Sequence, residues 1–236
     1  MNLYDTIKQA DAKLADAKAG SDAYFYLSPT RVSLAKVLFP VIEQHIHGKC
    51  LDAGAGRTAY KTKLLQKAYE VISLDWQQRE VLDCSGSVME LPFQDQAFDS
   101  VFCSQVLEHV PSPEKVLQEF HRCLKPGGTL VISVPHLAYL HNEPHDYFRY
   151  TKHGLRAVLE RNSFDVIDIQ PAGGLLSFLG HIPSVIVKAL FARIPVVGGM
   201  VMLLNRWYSQ CVSWLDGLVD RKKLFALNYV TVSYKK

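Results

Sequence analysis

Leu51-Asp52-Ala53-Gly54-Ala55-Gly56 is the stretch on which the fold of this chain turns. A short apolar run carries one acid and then meets two glycines one residue apart. That reads as a buried strand entering a tight turn, where a missing Cβ lets the backbone bend and a ligand come close. Thr58 to Ala68 reads as a helix, and Val71 to Leu74 as a second strand closed by Asp75. Strand, turn, helix and strand form the unit of an open parallel sheet, in which ligands sit beyond the carboxyl ends of the strands. An acid at the end of the second strand can accept hydrogen bonds from both hydroxyls of a ribose. The two features together point to a nucleoside-bearing cofactor. Gly54-Ala55-Gly56-Arg57-Thr58-Ala59 also satisfies G-x-G-x-x-G/A, which keeps NAD as a competitor, and a tight turn with no ligand is the plain alternative. Asp52 separates them. A carboxylate beside the turn would oppose a pyrophosphate and favour the ammonium and sulfonium of S-adenosylmethionine, unless it serves only to accept local backbone N–H bonds.

The same rhythm continues outward. Val81 to Cys84 reads as a third strand and Ser100 to Val106 as a fourth. Pro113 to Leu124 is a helix with proline in its first turn and Pro126-Gly127-Gly128 beyond its end. Thr129 to Val134 is a fifth strand, Thr151 caps a helix through Arg161, and Phe164 to Ile169 is a sixth strand. Alternation with near-continuous apolar strands predicts a buried, mostly parallel sheet. Residues 1–48 read as helical, with Leu3, Ile7, Ala10, Leu14 and Ala17 on one stripe. Ser28-Pro29 then starts a helix through Ile46, which Pro40 is expected to kink or divide. Tyr24, Phe25 and Tyr26 suit a lid that closes over the cofactor.

Residues 172–227 break the alternation. Ile182 to Phe191 is apolar nearly all round. From Met200 to Val219, Leu204, Trp207, Tyr208, Cys211, Leu215 and Leu218 fall on one face, with Asn205, Arg206, Ser209, Gln210, Ser213 and Asp216 on the other. The segment holds six Lys/Arg against two Asp/Glu, although the whole chain of 236 residues is only +3. Such a mild balance does not argue for nucleic acid. The five cysteines include no C-x-x-C pair, which suits a reducing cytosol without structural zinc. Met1-Asn2-Leu3-Tyr4-Asp5 shows no secretory pattern. The longest apolar run, Ile194 to Leu204, is too short to span a bilayer and holds Pro195, Gly198 and Gly199.

Four segments in order then resemble class I S-adenosylmethionine-dependent methyltransferases of the type 11 branch, which includes quinone-ring and small-molecule enzymes. They are Leu51 to Gly56; Glu90-Leu91-Pro92-Phe93 with Ala97 to Val101; Gln105 to Val110; and Leu124 to Leu130. The resemblance covers residues 48–170. It implies a Rossmann-like seven-stranded, mostly parallel α/β sheet whose last strand is antiparallel. Tyr229 to Tyr234, alternating with period two, fits that strand. The chain then divides into an N-terminal helical lid (1–48), a cofactor-binding core (49–171), an apolar helical insertion (172–227) and the last strand (228–236). The resemblance further implies that Asp52, Ala53, Gly54, Ala55 and Gly56 wrap the methionine part of the cofactor. Asp75 would hold the ribose, with Trp76 on the adenine face and Ser104 and Gln105 under the reacting methyl. The family places an acid five residues before the proline of its Leu-Pro-Phe motif to meet the adenine amino group. Here that position is Ser87, followed by Val88, a weaker acceptor than a carboxylate.

Methyl transfer from a sulfonium is an in-line displacement that needs alignment and, for a weakly acidic hydroxyl or amine, a base. Candidates cluster between His136 and Thr151, a loop dense in His, acid and aromatic side chains. One reading makes His145 the base and Arg149 the residue that orients an anionic or polyhydroxylated acceptor, with His109 second. Another places a metal on His141, Glu143 and His145, although no fourth ligand is evident and no metal is expected. The third pairs Asp146 with Arg149 to hold the loop shut. The insertion is a helical cap over an apolar core, a surface that touches lipid or a lipid-linked substrate, or a dimer contact; Trp207, Trp214 and Arg221-Lys222-Lys223 suit the second. The expectation is a cytoplasmic or membrane-associated O-methyltransferase for a small, hydrophobic, lipid- or glycan-linked acceptor. A non-catalytic cofactor-binding module that recruits a partner is the alternative, and an NAD-dependent oxidoreductase the distant one.

Overall fold

A computed structural model describes residues 3–192, 194 and 196–236. Met1 and Asn2, and Pro195 of the apolar run, lie outside the described residues, as does the Leu3 side chain of the expected stripe. The elements in order are α1 (Leu3–Lys18), a 3-10 turn (Asp22–Tyr26), α2 (Pro29–His45), β1 (Gly48–Ala53), α3 (Lys61–Leu64), β2 (Ala68–Asp75), β3 (Cys84–Ser85) and β4 (Phe98–Ser104). They continue with a 3-10 turn (Leu107–His109), α4 (Pro113–Cys123), β5 (Leu124–Pro135), α5 (Lys152–Arg161), β6 (Phe164–Ala172), α6 (Leu175–Phe191), α7 (Val197–Val219) and β7 (Asn228–Lys235).

The seven strands form one sheet in the order β3-β2-β1-β4-β5-β7-β6. β1 pairs in parallel with β2 and β4, β2 with β3, and β4 with β5, while β7 runs antiparallel to β5. The order reverses between β1 and β4, so a crevice opens at the carboxyl ends of these two strands. Leu51, Val101, Cys103, Leu130 and Ile132 fill the centre of the sheet against Leu117, Phe120, Leu155 and Leu159 of the covering helices. Thr151 caps α5 through a hydrogen bond accepted from the Gly154 amide at 3.0 Å. Pro113 opens α4, where the missing N–H is no loss.

Four expectations are corrected. The third strand, expected over Val81 to Cys84, is reduced to Cys84–Ser85. The helix expected over Thr58 to Ala68 shrinks to Lys61–Leu64, because Thr58 adopts φ +55 and interrupts it. The fourth strand stops at Ser104, where Gln105 turns left-handed at φ +57. Pro40 lies inside α2 without dividing it.

The chain gathers into two compact units. Val37–Pro171 with Asn228–Lys236 hold the sheet and its flanking helices. The second unit comprises the described residues up to Lys36 together with Ala172–Leu227. Its interior mixes apolar side chains such as Phe25, Leu27, Val32 and Val185 with a set of buried polar ones. Ser33 Oγ lies 2.9 Å from Ser177 Oγ and 3.4 Å from Ser213 Oγ, while Ser184 and Asn205 bond each other and the Leu27 carbonyl. Lys188 is buried on Asp11 at 2.6 Å.

Candidate active site

The glycine turn is fastened to the end of β2. The amides of Gly54 and Ala55 both donate to the Leu74 carbonyl, at 2.8 and 2.9 Å. Gly54 adopts φ +76, and a Cβ there would sit 2.3 Å from Val106 Cγ2. Gly56 adopts φ +54 with open space where a Cβ would be, and its N–H donates to Asp75 Oδ2 at 2.9 Å. The other oxygen, Asp75 Oδ1, accepts from the Gln77 amide at 3.0 Å. Turn and acid are thus one hydrogen-bonded piece, and each carboxylate oxygen keeps lone-pair capacity for a further donor.

Asp52 stands on β1 between Ser73 of β2 and Phe102 of β4. It is 3% exposed, and its Oδ2 has no hydrogen-bond partner among the described residues. Burial raises its pKa to about 7; nearby Lys61 opposes the shift, and Asp75 and Asp83 add to it. A buried acid in this state is matched by a ligand that brings a cation. Ala53 is wholly buried within the strand, so any contact it offers is through its backbone.

The remaining cofactor candidates fall in different places. Trp76 is 68% exposed and meets the His145 ring edge-on at 5.8 Å. Ser87 Oγ accepts from the Met89 amide at 3.1 Å, and Val88 is buried in the core. Ser104 Oγ lies 2.8 Å from Ser133 Oγ, which also accepts from Gln105 Nε2 at 3.2 Å. Sequence reasoning missed Ser133; the available signal was a lone hydroxyl in the apolar run Leu130 to Val134.

The loop after β5 is held from inside. Arg149 donates Nη1 to Asp146 Oδ1 and Nη2 to Asp146 Oδ2, both at 2.7 Å. Its Nε donates to the Ala138 carbonyl, Nη2 to Tyr139 and Nη1 to Phe148. The guanidinium has five N–H donors, and the loop takes all five. Arg149 therefore closes the loop in this structure, the arrangement of the third reading, with its guanidinium spent on the loop itself. Burial works against ionising Asp146, yet bonds from Arg149 and the His141 amide hold its pKa at about 2.

His145 donates its amide to the Asn142 carbonyl at 2.9 Å, and its Nδ1 lies 3.3 Å from the Tyr147 hydroxyl. His109 Nδ1 lies 2.6 Å from the His145 carbonyl, which fixes that nitrogen as the donor. Burial lowers the His109 pKa and favours its neutral form, with the lone pair on Nε2. Nε2 lies 3.6 Å from Glu108 Oε1. Glu108 was not foreseen. It is fully buried, neither carboxylate oxygen has a hydrogen-bond partner among the described residues, and burial raises its pKa to about 8. Among the described residues, the potential metal ligands that converge are Glu108, His109 and His141, within 4.8 Å of one another. The trio His141, Glu143 and His145 does not gather.

Glu108 and Asp52 both hold their protons in the fold at pH values where an unfolded carboxyl has lost its own. Each therefore contributes stability at acid pH that falls as pH rises from about 4 through the folded pKa. Glu108→Gln is expected to leave the melting temperature nearly unchanged at pH 5 and to raise it at pH 9. Thermal unfolding monitored by circular dichroism across that range checks this; a lower melting temperature at pH 9 would show a compensating partner for the carboxylate.

Residues 51–132 match the Methyltransf_11 family, a methyltransferase domain. The chain is 35% identical over 91 residues to malonyl-[acyl-carrier protein] O-methyltransferase 1 of Coxiella burnetii, covering 35% of this chain and 32% of that one. It is 43% identical over 68 residues to the demethylmenaquinone methyltransferase of Listeria welshimeri, covering 28% and 29%. The matched segment spans about a third of the length of these curated relatives. Among solved structures, the [4+2]-cyclase SpnF superposes with a TM-score of 0.58 at 16% identity, covering 85% of this chain and 80% of that one. At that identity the likeness speaks to the fold alone.

Proposed function

We propose that this chain, whose residues 51–132 belong to the type 11 branch of class I S-adenosylmethionine-dependent methyltransferases, transfers a methyl group from S-adenosylmethionine to a hydroxyl on a hydrophobic, lipid- or glycan-linked acceptor. The observation that carries the cofactor is the unit made by Gly56 and Asp75, with the unpartnered Asp52 oxygen beside it. Asp75 would accept from the ribose hydroxyls and Asp52 would face the cationic end. Gly56 leaves room for close approach. Bound there, the cofactor supplies an activated methyl on a positively charged sulfur.

The chain's own residues supply alignment and the path for a proton. Ser104, Gln105 and Ser133 form a fixed polar seam across the carboxyl ends of β4 and β5. The loop after β5 adds exposed Tyr139, Leu140, Tyr147 and Phe148, which suit an apolar acceptor. His145 stands on that loop against Trp76, the residue that follows the ribose-binding Asp75, and would take the proton from the acceptor hydroxyl. The names of the two curated relatives support an acceptor joined to a larger carrier or an isoprenoid quinone precursor.

Calorimetric titration with S-adenosylhomocysteine tests the cofactor. Saturable binding is expected, with NAD giving no heat; the reverse preference would reject the reading. His145→Ala is expected to lower turnover by roughly 10²-fold or more, the range for a general base, while cofactor affinity changes little. Equal losses in both would remove His145 from the chemistry. A second reading, a cofactor-binding module without transferase activity, is favoured only by Ser87, whose hydroxyl already serves the Met89 amide. Binding of S-adenosylmethionine with no methyl transfer to any lipid or glycan extract would support it.

A further inference from the structure

We infer that α6 and α7 form a platform that lies in one leaflet of an anionic membrane. The two helices run antiparallel, since Ser177 meets Asp216, Gly180 meets Tyr208 and Val212, and Ser184 meets Asn205. Their polarity is inverted. Inward face Ser177, Gly180, Ser184, Val185 and Lys188 from α6, and Gly198, Asn205, Ser209, Ser213 and Asp216 from α7. Every exposed position on α6 is apolar: Phe178, Leu179, Ile182, Pro183, Ile186, Val187, Leu190 and Phe191. On α7, Arg206 is the one exposed charge among Met200, Leu203, Leu204, Trp207, Trp214, Leu215 and Leu218. Small and hydroxyl side chains bonding between helices, with leucine and isoleucine outward, is the pattern of helices packed in lipid. So many large apolar side chains exposed on one helix pair is more than a monomer in water ordinarily shows.

Charge selects the occupant. Both carboxylates between 172 and 227 are turned inward. Asp216 accepts from the Leu176 amide and the Ser177 hydroxyl, and Asp220 from the amides of Leu224 and Phe225. Among the described residues, the exposed charges of the same segment are cationic: Arg206, Arg221 and Lys222. A second copy would set like charges against one another, whereas an anionic headgroup layer complements them. Trp207 and Trp214, each 63% exposed, are suited to the headgroup boundary. No helix among the described residues is long and apolar enough to cross a membrane, so both would lie along the leaflet with their outer faces in its upper acyl region. The inference concerns where the chain resides and is separable from the acceptor proposed above.

Flotation of the full chain with phosphatidylcholine vesicles, with and without phosphatidylglycerol, tests it. Co-flotation with the anionic vesicles is expected, weaker by roughly 10²-fold on neutral ones if three cations act. Tryptophan emission should shift to the blue on binding, and most of the shift should vanish in Trp207→Phe/Trp214→Phe. Leu203→Glu/Leu215→Glu, both at exposed positions, should abolish flotation without loss of S-adenosylhomocysteine binding. A chain that stays in the aqueous fraction with both vesicles, or that sediments as a dimer broken by the same glutamates, would overturn the inference. Cofactor titration on the same samples separates the two readings: retained binding without flotation rejects the membrane platform alone, and flotation without cofactor binding rejects the transferase alone.

Discussion

Asp75→Ala is expected to lower affinity for S-adenosylhomocysteine by at least roughly 10²-fold, from the loss of two hydrogen bonds to a charged acceptor at about 1.5–3 kcal/mol each. The same change removes the acceptor for the Gly56 and Gln77 amides, so the turn loses its anchor as well as the ribose its partner. Asp75→Asn separates these effects. One amide oxygen can still accept from Gly56, but the charge is gone and the nitrogen cannot accept, so an intermediate loss is expected. Because Gly54 and Ala55 stay tied to the Leu74 carbonyl, the sheet should survive, with a melting temperature close to that of the parent chain. Isothermal titration checks both variants. Affinity unchanged in Asp75→Ala would move the nucleoside away from the end of β2 and would undo the proposed site.

Asp75 could be read from the sequence because its role is local: an acid directly after a strand, at a fixed distance from a glycine turn. The alternation of strands and helices that predicts a mostly parallel sheet followed from the same local units. Properties that depend on partners far along the chain were not legible in this way. Glu108 reads as an ordinary acid at the start of a turn; only the fold shows that its side chain is fully buried. The faces of α7 were visible in the spacing of its residues. Periodicity assigns a face, though, and does not say which face turns inward, and the usual expectation of an apolar interior points the wrong way here. Lys125-Pro126-Gly127-Gly128 reads as a stop between helix and strand, yet β5 begins at Leu124 and includes all four residues. Tertiary pairing of Leu124 with Phe98 of β4 overrides the local turn signal.

Arg149→Ala is expected to destabilise the loop between β5 and α5 by about 3–5 kcal/mol, the cost of stripping a buried carboxylate of its partner. The Asp146 side chain is 1% exposed, and the guanidinium supplies both of its short charged contacts. The carbonyls of Ala138, Tyr139 and Phe148 lose a donor at the same time. Arg149→Lys should rescue little, because one ammonium cannot reproduce a bidentate fork and reach three carbonyls. Asp146→Asn/Arg149→Ala should recover a good part of the loss, since no bare charge remains. Amide hydrogen exchange of residues 138–150, with urea unfolding, reads these effects. The pH dependence has a defined sign. A carboxyl held at about 2 contributes stability that is complete above the ordinary carboxylate range near 4 and disappears as pH falls toward 2. Exchange in this loop should therefore quicken below pH 4 in the parent chain and show no such step in the double variant. If Arg149→Ala instead leaves exchange and unfolding unchanged while turnover collapses, Arg149 acts on the acceptor, and the closure seen here is a resting arrangement that substrate displaces.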